Sequence, residues 1–257
     1  LAVSVAVTMI LLHLAANLAN AAFEHIWGDD RAFRDASAKV LLHGWARAYH
    51  YLGVAVVFSL LAALAGVYLA LWVKRPWLLP VGIVSGLLAW QFNAPPLRLK
   101  RTLVGDGVLF LLVGPMLTVS VCYLASGSLP AGIWGAGLLA GLHTSLRHLL
   151  RSVRLLHDDA MLGHRTLAGR LGYFRAVRLV MTLGAVLTVA PVICFTWLPV
   201  PVLLFGCLMN GGVFAWALWP AFVATTPHDP RLTRATRRLT LVQWIYPLAL
   251  GVPLVIA

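Results

Sequence analysis

Residues 49–73, YHYLGVAVVFSLLAALAGVYLALWV, run from Tyr49 to Val73 without one formally charged side chain. About 20 helical residues cross the hydrocarbon core of a bilayer, and this stretch is long enough. It has no continuous polar face, so a helix lying on a soluble core does not account for it. In lipid, backbone groups must be bonded internally, and a long uninterrupted run does this as a helix.

Comparable runs lie on both sides of it, at approximately 1–23, 77–92, 103–125, 130–150, 173–198, 200–223 and 239–257. The sequence therefore predicts an all-α, polytopic membrane bundle of about eight transmembrane helices, forming a single domain over 1–257. The run at 77–92 is short and spans only if Lys74, Arg75 and Arg98 snorkel. Composition agrees: 61% of the residues are hydrophobic and 11% charged, against about 25% charged in soluble domains. The chain opens at Leu1, already inside a hydrophobic run and without a basic segment before it. That pattern suits a missing first helix better than a cleaved signal peptide. Cys122, Cys194 and Cys207 lie far apart in separate runs; they have no metal-ligand spacing and read as small buried hydrophobes.

Charge gives the orientation. If the spans alternate, every Lys and Arg except Lys74 and Arg75 falls on one side, which the positive-inside rule makes cytoplasmic. All eight Asp and Glu residues fall there too, with His25, His43, His157, His164 and His228. That rule does not require carboxylates, so their gathering predicts a polar site facing the cytoplasm, in the cell membrane. The net charge of +12 suits anionic headgroups or an anionic ligand entering from the membrane plane. Nucleic acid is excluded as a partner, because no soluble basic domain exists to hold it. The sequence does not give the oligomeric state.

Two polar stripes sharpen this. His13, Asn17, Asn20 and Glu24 share one face of the first run, and His143, Arg147, Arg151, Arg154 and Asp158 share one face of the fifth. Polar groups at membrane depth face a cavity or a partner. Hydrogen bonding between helices accounts for one or two of them, and a basic helix end near headgroups accounts for part of the second stripe. Paired polar helices in the two halves of a chain are how membrane proteins build a central pocket.

The segment Asn17-Leu-Ala-Asn20-Ala-Ala-Phe-Glu24-His-Ile-Trp-Gly28-Asp-Asp30 resembles the first aspartate-rich motif of the UbiA superfamily of intramembrane prenyltransferases. Ser37-Ala-Lys39-Val-Leu-Leu-His-Gly44 is similar to the segment that follows it there. Asn93-Ala-Pro-Pro-Leu-Arg-Leu-Lys100 with Gly105-Asp106 looks like the family's Pro-Pro loop. Asp159-Ala-Met-Leu-Gly-His-Arg-Thr-Leu-Ala-Gly-Arg-Leu-Gly172 resembles the second motif, and His228-Asp-Pro230 its last connection. The likeness runs in order along essentially the whole chain. It is nearest to the branch that prenylates 1,4-dihydroxy-2-naphthoate on the way to menaquinone.

The resemblance implies a fold of nine helices, with the motifs on the second and sixth. It implies ionisation of an allylic polyprenyl diphosphate, attack by a small aromatic acceptor, and Mg²⁺ held by the two motifs. Carried over residue by residue, Asn20, Glu24, Arg151 and Asp159 are catalytic. Asn17, Lys39, Arg98, Lys100, Arg154 and Arg165 hold the diphosphate, and Glu24, Asp30 and Asp159 are the metal ligands. Arg151 and Asp158–Asp159 form the second half of the site. His13 and His143, each a turn deeper than its stripe, are candidate bases for the acceptor.

The motifs depart from the family in a consistent direction. Ala21 and Leu155 stand where the first Asp of each motif belongs, and Arg151 replaces an Asn. Anionic ligands are lost and a cation is gained, so a guanidinium from Arg151, with Arg147 or Arg154, takes over from a metal, leaving fewer ions than the family norm. A prenyl-diphosphate or lipid binder that does not catalyse, and a terpene cyclase of the same type, remain open. A small transporter is disfavoured, because alternating access needs polar gates on both sides and this chain has them on one.

Overall fold

A computed structural model describes residues 1–28, 39–196 and 200–242. The described residues are helices and turns, without strands. In chain order the helices are α1 (Ala2–Ile26), α2 (Lys39–Leu42), α3 (Ala48–Trp72), α4 (Leu78–Gln91), α5 (Gly105–Leu111), α6 (Leu117–Ser126), α7 (Ala131–Arg154), α8 (Leu156–Met161), α9 (Leu167–Leu171), α10 (Tyr173–Cys194) and α11 (Val200–Phe222). Residues 230–242 are helical as well. Among the described residues four segments are long and apolar enough to cross a membrane: 3–26, 48–72, 105–126 and 173–194. Their large apolar side chains point outward, as with Leu64 and Ile193, which lipid rather than water would cover.

The contacts divide the chain into two compact units, 1–100 with 120–128, and 101–119 with 129–257. In the first unit α1 packs along α3. The residues these helices bury are small or evenly spaced: Ala15, Ala19 and Ala22 on α1, and Ala55, Ala62 and Leu69 on α3. Small side chains let helix backbones approach in lipid, where dispersion rather than a hydrophobic force drives association.

In the second unit the approach is closer. A π-helical turn, Leu112–Met116, joins α5 to α6 around Pro115, which cannot supply the regular N–H. At this turn the chain lies against α7. A Cβ on Gly114 would sit 2.6 Å from the Gly137 carbonyl oxygen, and one on Gly141 would sit 2.7 Å from that of Phe110. Only glycine fits there. The core of this unit gathers Leu139, Leu146 and Leu150 of α7, Val180 and Leu187 of α10, and Ala217 and Leu218 of α11.

Several expected limits move. The first helix runs past residue 23 and carries Glu24 in its last turn. The fifth runs past residue 150 and carries Arg151 and Arg154. It ends at Leu155, so Asp158 and Asp159 lie on the separate short helix α8 and do not continue the α7 stripe. Arg75 does not simply snorkel. Its guanidinium donates to the backbone oxygens of Tyr123 and of Leu124 (2.7 Å), closing carbonyls at the end of α6. The three cysteines are free thiols and only half-buried. Of the expected last span, 239–257, residues 239–242 are described and helical, and the remainder lies outside the described residues.

Candidate functional site

In the first unit the lower half of the α1 stripe is covered and the upper half is open. Glu24 is buried, with 7% of its surface exposed; Asn20 is half-buried, while Asn17 and His13 are exposed. The cover comes from the segment after α4. A cis Pro95–Pro96 bond lies in this loop. The Arg98 N–H donates to Ala94 O (3.1 Å) and the Lys100 N–H to Phe92 O (2.9 Å). Arg98 takes a left-handed backbone, φ 45°, and its guanidinium carbon lies 3.3 Å from the centre of the Trp27 ring, a cation–π contact.

This loop delivers Lys100 to the motif. Its ammonium donates to Asn20 Oδ1 at 2.9 Å and forms an ion pair with Glu24 Oε1. Asn20 and Glu24 sit one helical turn apart, so one cation bridges both oxygens. Ala21, on the same turn, is buried at 6% exposure, and a methyl group faces inward where the family pattern has a carboxylate. Lys39 opens α2. The expected ligand Asp30 lies outside the described residues.

In the second unit the surviving motif-two carboxylate is held locally. Asp159, buried at 6% exposure, is hydrogen-bonded through Oδ1 to His164 Nδ1 at 3.0 Å, and its backbone oxygen accepts the His164 N–H at 2.8 Å. Gly163 makes the intervening turn with a positive φ of 71°. Thr166 then caps α9 by accepting the Gly169 N–H (3.2 Å). The Arg165 N–H donates to Arg101 O at 2.9 Å. Arg147, Arg151 and Arg154 follow one another along the end of α7. Among the described residues the buried Arg147 Nε has no hydrogen-bond partner. Leu155, in place of the motif's first Asp, is buried.

A second carboxylate–imidazole pair went unread in the sequence. Asp106, in the first turn of α5, is bonded through Oδ1 to His148 Nδ1 of α7 at 2.7 Å, and the Ser145 hydroxyl donates to the Asp106 backbone oxygen at 3.2 Å. Asp106 was visible as one of few acidic residues, and Ser145 and His148 share a face of α7. Their pairing needs the glycine contact that brings α5 against α7. His143 is buried, its ring 5.9 Å from that of Phe214.

The profile of the UbiA prenyltransferase family matches residues 1–243 of this chain. No curated protein and no solved structure matches it. Members of that family generally use Mg²⁺, so the donor set matters. Among the described residues no group of three His, Cys, Asp or Glu side chains is placed to hold a metal ion. Glu24 is already paired with an ammonium and Asp159 with an imidazole. Mg²⁺ is commonly held by one or two carboxylates together with waters and phosphate oxygens, and the two buried motif carboxylates that the structure describes are each already engaged by a basic side chain.

Proposed function

The chain belongs to the UbiA prenyltransferase family, and from that premise we propose that it transfers an isoprenyl group from an allylic prenyl diphosphate to an aromatic, quinone-precursor-like acceptor within the membrane. In this reaction the allylic C–O bond breaks and its electron pair leaves with the diphosphate. A ring carbon of the acceptor then forms a C–C bond to the allylic cation and loses its proton. Negative charge gathers on the leaving group, and fixed positive charge there lowers the barrier most.

The observation that supports this reading best is the excess of fixed cations at both motifs, where carboxylates have been lost. Arg151, flanked by Arg147 and Arg154 on the last turns of α7, supplies guanidinium groups that bind phosphate oxygens in pairs and stay charged. Lys100 brings an ammonium to Asn20 and Glu24. Arg98, Arg165, Lys39 and Asn17 complete the proposed diphosphate contacts, with Asp159 positioned by His164. The site faces the cytoplasm, on the side that holds nearly all Lys and Arg. The nearest acceptor by resemblance is 1,4-dihydroxy-2-naphthoate.

Incubating the nanodisc-embedded protein with prenyl diphosphates of several lengths and that naphthoate, followed by mass analysis, tests the proposal. A prenylated naphthoate is the expected product. Diphosphate release with a cyclic hydrocarbon would make it a cyclase, and bound but unchanged diphosphate would make it a binding protein.

A further inference from the structure

We infer that Lys100 stands where a motif-one metal ion would stand, so that this chain binds diphosphate at its first motif through a built-in ammonium and without a divalent cation there. The inference deepens the prenyl-diphosphate reading above and rests on it.

Three observations carry it. First, the donor oxygens of the described part of the motif, Asn20 Oδ1 and Glu24 Oε1, converge on the Lys100 ammonium. A divalent ion reaching Glu24 would have to displace one positive charge or sit against it. Second, Ala21 is buried on the same turn, so the carboxylate that would tip the balance toward a doubly charged ion is replaced by a methyl group. Third, the lysine is delivered by a built loop. Its backbone is tied to Phe92 O, the neighbouring Arg98 is stacked on Trp27, and its own side chain is only 18% exposed. An ammonium needs no octahedral shell, so it holds the motif together and still attracts a phosphate oxygen.

The test is equilibrium binding of prenyl S-thiolodiphosphates, which do not ionise, to the protein in nanodiscs, in EDTA and then in excess Mg²⁺. Affinity in EDTA is expected within about threefold of that in Mg²⁺. Lys100→Met should weaken metal-free binding by about tenfold or more, the loss of one charge-assisted bond, while Lys100→Arg retains most of it. If Lys100→Met unfolds the protein, the Lys100→Met, Glu24→Gln double variant carries the same expectation without the buried Glu24 charge. Wild-type binding that vanishes in EDTA and returns with Mg²⁺ overturns this inference alone. Absence of binding in both buffers, across all chain lengths, overturns the prenyl-diphosphate reading and the inference with it.

Discussion

Glu24 and Asp159 are the two buried carboxylates among the described motif residues, both paired with a basic side chain, but they reach that state by opposite routes. Glu24 ends a helix of 25 residues and meets a lysine 76 positions away, which the Pro-Pro loop brings back to it. Asp159 lies on a helix of six residues and meets a histidine five positions away, within its own turn. The first partner is a lysine ammonium, and the second is an imidazole that is charged only when protonated. The first motif therefore takes its cation from tertiary structure. The second motif has the arginines of α7 before it in sequence, and its carboxylate is locked locally.

The largest expected effect separates the packing of the two units. Gly141→Ala places a methyl group 2.7 Å from a backbone oxygen, which cannot move aside, and should cost about 3 kcal/mol. Gly53→Ala in α3, where nothing lies within 4 Å, should leave stability unchanged or raise it by about 0.5–1 kcal/mol. Thermal unfolding in detergent compares them, and equal losses would erase the distinction drawn between glycine-dependent and alanine-lined contacts.

Next come the pairs themselves. A double-mutant cycle on Glu24 and Lys100 should return a coupling of about 1–3 kcal/mol, because both side chains are mostly removed from solvent. The cycle on Asp159 and His164 should return about 1 kcal/mol, since the turn holds the two together without the bond. Larger coupling at the local pair would invert the contrast. The smallest effect is expected of Ala21→Asp. A second carboxylate beside Glu24 should make Mg²⁺ improve diphosphate affinity by about fivefold, outside the roughly threefold margin of the parent protein.

The membrane character of the bundle was legible because runs such as 49–73 admit one solution in lipid. The stripe Asn17, Asn20, Glu24 was legible because helical spacing is simple arithmetic. The break at Leu155 was not: no Gly or Pro marks it, and the α7 stripe looked continuous to Asp158. Lys100 was expected at the phosphates, but its grip on Glu24 depends on how a loop far along the chain folds back. The Asp106–His148 pair was hidden for a similar reason. It follows from the close approach at Gly114 and Gly141, and a sequence of many glycines does not show which of them meet.

The most direct measurement is diphosphate release from an allylic prenyl diphosphate by the protein in lipid nanodiscs, with Mg²⁺ titrated from zero. Release should already be present without Mg²⁺ and fall by about 100-fold or more in Arg151→Ala, the scale of losing one preorganised charge at a leaving group. Release that strictly requires Mg²⁺ and ignores the Arg151 substitution would contradict the account of a site whose cations are built into the chain.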